Sequence, residues 1–214
     1  IIEKSPFNIR KVRSSEISTS FIKDNSSHRW IFGNFSFLKD KTIFQIIKSK
    51  IVYDIIEYDF KYCIHRSPQK HSKFFGECDC ETQTRSKIVS LFFSNARRRW
   101  FMSQKQKDVY MSLFPFLNNE NSIVLSSVFK DSTIQKLSNI TKQKNDTYII
   151  FKTENWLKGT TNSIEFAKEN NLKYELISNL PYDKMLKKLS DSKGLILMPN
   201  AHDTCPRITI EAKL

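Results

Sequence analysis

A chain of 214 residues that is 39% hydrophobic and 13% aromatic, with seventeen Phe, has enough apolar side chain for a packed core and is not intrinsically disordered. No apolar run approaches the ~20 residues needed to cross a bilayer, and no basic stretch followed by an apolar one marks a signal peptide, so a soluble, cytoplasmic protein is expected. The net charge of +13 calls for an anionic partner, a condition that nucleic acid, an acidic membrane surface or a phosphorylated substrate would each meet.

The length suggests two small α/β units. Lysines are spread along the chain, and the densest basic run, Arg97-Arg98-Arg99, reads as solvated surface. Four cysteines in a cytosolic chain stay reduced, which argues against a disulfide framework. The chain lacks an initiator Met and stops at Glu211-Ala-Lys-Leu214 in a helical pattern, so a fragment of a longer protein is expected.

In chain order, Trp30 to Gly33 predicts a strand, Lys39 to Lys48 a helix, and Ile51 to Ile56 a second strand of β-branched and aromatic residues. Arg85 to Asn95 places Ile88, Leu91 and Phe92 at helical spacing, and Arg98 to Met102 reads as a strand. Ser103 with Gln106 three residues on predicts a capping box, and Val109, Tyr110 and Leu113 form the apolar face of the helix that follows, before Pro115. Ser122 to Ser127 is a further strand. This alternation predicts a parallel sheet covered on both faces.

Residues 1–130 thus read as an N-terminal Rossmann-like domain, and the polar stretch 131–146 reads as a linker, part of which can be helical. The pattern then restarts over 147–214 as strand Thr147 to Phe151, helix Thr160 to Asn170, strand Tyr174 to Ile177, helix Tyr182 to Ser190, strand Gly194 to Met198 and a helix from Pro206. Tyr182, Met185, Leu186 and Leu189 follow helical spacing, as do Ile164 and Ala167.

Ligands of an open parallel sheet bind beyond the carboxyl ends of its strands. Two segments fall there: Lys152 to Gly159, and Pro199 to Glu211. Thr204 to Arg207 opens a helix whose N–H groups suit a diphosphate, Lys158 and Arg207 add positive charge, and Glu211 can accept hydrogen bonds from a ribose diol.

Lys158-Gly159 after the first strand of the second domain, and Asp203 with Glu211 separated by seven residues after Pro199, resemble motifs of the retaining two-domain (GT-B) glycosyltransferases of family 4, group 1, which include sucrose and glycogen synthase relatives. The resemblance implies a GT-B fold of two Rossmann-like domains, both truncated here. It also implies a nucleoside-diphosphate-sugar donor, retention of anomeric configuration and no cofactor or metal requirement. Lys158 and Gly159 would then meet the diphosphate, with Lys152 substituting for an Arg that the family places at Thr153. Asp203 would be the catalytic residue facing the sugar together with the amides of Thr204 and Cys205, Glu211 would hold the ribose, and Arg207 would assist the diphosphate. The acceptor would be a glycan, a lipid-linked sugar or a protein, with peripheral contact at the inner membrane face allowed and no nucleic acid expected. The match covers Thr147 to Leu214. Each element also has a plainer reading, with Lys158-Gly159 a turn, Asp203 a helix cap and Glu211 a solvated residue.

Cys63, His65, His71, Cys78 and Cys80 are zinc-ligand types, but Cys-x-His and Cys-x-Cys spacing departs from the Cys-x-x-Cys pattern, and a loop with ordinary thiols is the expectation. Asn95 to Phe101 could stack on nucleic acid, yet Trp100, Phe101 and Met102 read better as core. Cys205 lacks a recognisable base, so a cysteine enzyme is not expected. The rival functions are a basic nucleic-acid-binding protein and a GT-B-shaped nucleotide-sugar epimerase.

Overall fold

The computed structural model describes residues 6–117, 119–140, 144–204 and 206–213, and the chain divides into two compact units, Ile1–Val128 and Phe129–Leu214. In the first unit, β1 (Trp30–Phe32), β2 (Tyr53–Glu57), β3 (Arg98–Phe101) and β4 (Ser122–Val124) form one sheet in that order, every neighbouring pair parallel. Helix α1 (Thr19–Asp24) precedes β1, α2 (Asp40–Lys48) joins β1 to β2, α3 (Pro68–Phe75) and α4 (Thr84–Ser94) lie between β2 and β3, and α5 (Gln104–Leu113) joins β3 to β4.

The register places Phe32, Ile55, Arg99 and Ser122 in one row of one face, and all four are buried. The opposite face differs from the expectation of cover on both sides: Ile31 is 56% exposed, Arg98 is exposed, and Ile56, Trp100 and Ile123 are half-buried. Strands added successively in one direction through right-handed crossovers carry their helices on the same face, which explains the one-sided cover.

That covered face holds most of the aromatic content. Tyr53 stacks on Phe92 at 4.6 Å and Phe93 on Tyr110 at 5.0 Å. Helix α4 buries Val89, Phe92 and Phe93, whereas Leu91, expected inside, is exposed. Turning two large rings inward removes more apolar area from water than turning Leu91 inward. Ser103 caps α5 as expected, its Oγ accepting the Gln106 N–H at 3.2 Å. The return bond of a capping box is replaced: the Gln106 side chain accepts the Met102 N–H at 2.8 Å and donates to the Asp59 carbonyl at 2.7 Å, tying α5 to the segment after β2.

The second unit opens with α6 (Asp131–Asn139), inside the stretch read as a linker, and α6 buries Leu137 in the core of this unit. Strand β5 (Tyr148–Phe151), α7 (Thr160–Glu169), β6 (Tyr174–Ile177), α8 (Tyr182–Asp191), β7 (Gly194–Leu195) and α9 (Arg207–Glu211) follow. The strands are parallel in the order β6-β5-β7.

Central β5 alternates, as period-2 geometry requires. Ile149 packs with Leu137 and with Met185, Leu186 and Leu189 of α8, while Ile150 packs with Ala167 of α7 and with Ile196. Here both faces are covered, an arrangement compatible with a Rossmann-like unit. Strand β7 is shorter than the expected Gly194 to Met198, because the Met198 N–H is taken by the Ser163 Oγ at 3.0 Å and Pro199 has no donor to continue the ladder. No helix among the described residues is long and apolar enough to cross a membrane.

Candidate functional site

The order β6-β5-β7 creates a topological switch point. From β5 the chain moves to one side through α7, then returns across β5 through α8 to reach β7 on the other side. Loops leaving β5 and β7 therefore diverge, and the crevice outside their carboxyl ends is where an open α/β sheet receives ligands. Both segments singled out in the sequence start at this place.

Hydrogen bonds join the two loops into one surface. The Asn155 side chain accepts the Leu157 N–H at 3.1 Å and starts a 3-10 turn over Trp156–Lys158. Asn200 lies against that turn: its backbone N–H reaches the Leu157 carbonyl at 3.1 Å, its side-chain amide donates to the Trp156 carbonyl, and its Oδ1 accepts from Asn162 at 2.9 Å. Gly159 has a left-handed backbone, φ 62°, and a Cβ there would lie 1.8 Å from the Met198 carbonyl oxygen. Glycine is required at this position on both counts.

Ser163, buried in the first turns of α7, donates from Oγ to the Gly159 carbonyl at 2.9 Å and accepts the Met198 N–H. Ser163→Ala leaves that N–H without its partner and is expected to cost about 1–3 kcal/mol. Denaturant unfolding with hydrogen exchange of the α7 amides measures the loss.

Lys158 and Asp203, 45 positions apart, form an ion pair of 2.5 Å, with side chains 33% and 15% exposed. Glu211 belongs to a second grouping. It is buried, accepts the Tyr182 hydroxyl at 2.8 Å, and has the Arg207 guanidinium 3.9 Å away. Burial, followed by the bond to Glu211, pushes Tyr182 up to about 12. Arg207 also lies over the Phe129 ring at 4.7 Å.

Glu211 is therefore not the freely offered carboxylate expected of a ribose ligand; its accessible partner in this state is Tyr182. The side chain of Lys152 is exposed, while its backbone N–H donates to the Ile177 carbonyl at 2.8 Å. Thr204 is half-buried, and Cys205 lies outside the described residues. Helix α9 spans only five residues. The ten-residue α7 begins at Gly159 with no side chain capping it.

Tyr182, Ser163 and Asn162 were not legible as site residues. Tyr182 reads as part of the apolar stripe of α8, and the two small polar residues have no motif of their own.

The first unit contains two further polar groupings. At the carboxyl end of β2, Glu57 is fully buried. Its carboxylate accepts the Lys61 N–H at 3.0 Å and pairs with the Lys61 Nζ at 3.3 Å. Lys61 also reaches Asp59 at 3.0 Å, and Asp59 pairs with Arg66. Burial outweighs Lys61 and raises Glu57 to about 7.

The second grouping gathers three of the thiols and one imidazole. The ligand atoms of Cys63, His71, Cys78 and Cys80 all lie within 4.8 Å of one another. Cys63 and Cys80 present sulfur to the His71 Nδ1 at 3.6 and 3.3 Å, and the Cys63 and Cys78 sulfurs are 3.8 Å apart. His65 stays out of the set and stacks flat on Phe75 at 4.0 Å. Burial raises the Cys63 thiol, and it pushes Cys78 up to about 12.

No protein-family model matches this chain, and no curated protein matches it.

Proposed function

We propose that the chain is a retaining GT-B glycosyltransferase, moving a sugar from a nucleoside-diphosphate donor to an acceptor, and that the donor diphosphate binds at the β5/β7 switch point. The observation that supports this most strongly is the joining of the Lys158-Gly159 turn to the Met198–Asn200 loop, with Lys158 held against Asp203 beyond the carboxyl ends of the strands. A backbone that excludes a Cβ allows close approach, the uncapped start of α7 offers N–H groups, and Lys158 provides a positive charge that a phosphate can share.

In this reading the bond from the anomeric carbon to the diphosphate breaks as the acceptor oxygen bonds the same face. The acceptor proton leaves with the diphosphate. Lys158 and Arg207 stabilise the departing charge, the largest contribution available to these side chains. Asp203, positioned by Lys158, faces the sugar. Glu211 would meet the ribose beside the Tyr182 hydroxyl that it already accepts, so Tyr182 belongs to the nucleotide subsite.

A thermal-shift series with UDP, GDP, ADP and their sugars tests the reading. One nucleotide is expected to raise the midpoint of wild type, with affinity reduced about 10- to 100-fold in Lys158→Met, the worth of one hydrogen bond to a charged group. Glu211→Gln is expected to weaken the nucleotide and nucleotide-sugar alike. If no nucleotide shifts the midpoint, or if the chain instead binds nucleic acid with a steep salt dependence that ignores Lys158→Met, the reading fails.

A further inference from the structure

We infer that Cys63, His71, Cys78 and Cys80 bind one structural zinc ion. The inference concerns the first unit and is independent of the function proposed for the second. The juxtaposition comes from four separate places: Cys63 follows β2, His71 lies within α3, Cys78 follows α3, and Cys80 opens the 3-10 turn Cys80–Thr82. Only a fold that turns this segment back on itself brings the four together.

Three of the six separations between the ligand atoms lie near those of a zinc tetrahedron, and all six are within 4.8 Å. With Zn–S of about 2.3 Å and Zn–N of about 2.0–2.1 Å, a tetrahedron has sulfur-to-sulfur edges of about 3.8 Å and sulfur-to-nitrogen edges of about 3.6 Å. The corresponding separations are 3.8 Å for Cys63 to Cys78, 3.6 Å for Cys63 to His71 and 3.3 Å for Cys80 to His71. A disulfide is the competing outcome for neighbouring thiols, but it needs sulfurs about 2.05 Å apart. It would also join only two of three buried or half-buried sulfurs, leaving the third with His71.

His71 presents Nδ1 to the sulfurs, and its ring is walled by His65 at 4.6 Å and Phe75 at 6.3 Å.

Three thiolates and one imidazole in a tetrahedron select zinc among the common divalent ions. Four protein ligands leave no open position, so the ion is structural rather than catalytic. Its work is local: the β2-to-α4 segment has two short helical pieces and no strand, and Ile64, Phe74 and Phe75 in it are exposed. Cross-linking the chain before, within and after α3 adds to the anchoring that Phe60 and Tyr62 give this segment in the core.

The test is metal content and cobalt substitution of the full chain, expressed with zinc and dialysed against zinc-free buffer. One zinc per chain is expected. Cobalt(II) exchanged into the site should give the intense visible d–d bands of a tetrahedral ion and a thiolate-to-cobalt charge-transfer band. Cys80→Ser and His71→Ala should weaken the metal on the order of 100-fold or more, while His65→Ala keeps one equivalent. Should the cysteine variants fail to fold, the wild-type cobalt spectrum decides alone. A folded wild-type chain that retains no zinc and gives no tetrahedral cobalt spectrum overturns the inference, as does a native disulfide between any two of Cys63, Cys78 and Cys80.

Discussion

Gly159→Ala is expected to destabilise the second unit by on the order of 4 kcal/mol and to abolish nucleotide binding. Two costs combine. An alanine at φ 62° takes on the left-handed penalty of about 1–2 kcal/mol, and its methyl would lie 1.8 Å from the Met198 carbonyl oxygen. Overpacking of that kind typically costs about 1–3 kcal/mol, and here the obstacle is backbone rather than a side chain able to swing away. Relief requires the loop after β7 to withdraw, which breaks the Asn200 bonds to Trp156 and Leu157 and the Met198 bond to Ser163. Hydrogen exchange of the β5 and α7 amides reads the effect locally. Wild-type protection in the variant would show that the two loops do not depend on this contact.

Lys61→Met should cost about 3–5 kcal/mol at pH 8, the usual penalty for stranding a buried charge, and much less at pH 5. Both partners are inside: the Lys61 side chain is 2% exposed and that of Glu57 is 0%. In the wild type, burial raises Glu57 from its ordinary 4.5 to about 7 despite Lys61, with Asp59 pushing the same way. The folded state therefore keeps a proton that the unfolded chain has already released. Stability from this group is full below about pH 4.5 and declines as pH rises to about 7, by roughly 3 kcal/mol. Tyr110 of α5, itself raised by burial and by Glu57 and Asp59, stays protonated throughout and does not alter the sign.

Without Lys61 the Glu57 carboxyl rises further, so the decline becomes larger and extends to higher pH. Glu57→Gln should flatten it. Urea unfolding in a Trp156→Phe background lets Trp30 and Trp100 report the first unit. A Lys61→Met penalty that is equal at pH 5 and pH 8 would contradict this account.

The elements of both units were largely legible because apolar periodicity and turn residues agree locally, as at Lys39 to Lys48 against α2 and Tyr174 to Ile177 against β6. Sheet order was not. Nothing in the strand sequences distinguishes successive addition in the first sheet from the reversal around β5 in the second, and that reversal creates the crevice. Polar residues that work by reaching another segment were equally hidden. Gln106 looks like half of a capping box until Asp59 is known to be opposite it. Cys63, His71, Cys78 and Cys80 look like ordinary thiols and an imidazole in the sequence, because their spacing is irregular and only α3 and the turn after it bring them together. In the second unit, Lys158 and Asp203 were found through a motif, while Tyr182, which completes the surroundings of Glu211, has an apolar body that placed it in a core stripe.

Titration of the isotopically labelled chain with UDP, GDP and ADP, followed by amide chemical shifts, tests the central claim most directly. One nucleotide should move the Lys158 to Ser163 and Asn200 to Thr204 amides in a saturable way, with the Tyr182 region following as the ribose reaches Glu211. Shifts confined to the first unit, or none with any of the three at saturating concentration, would contradict a diphosphate site at the β5/β7 switch point.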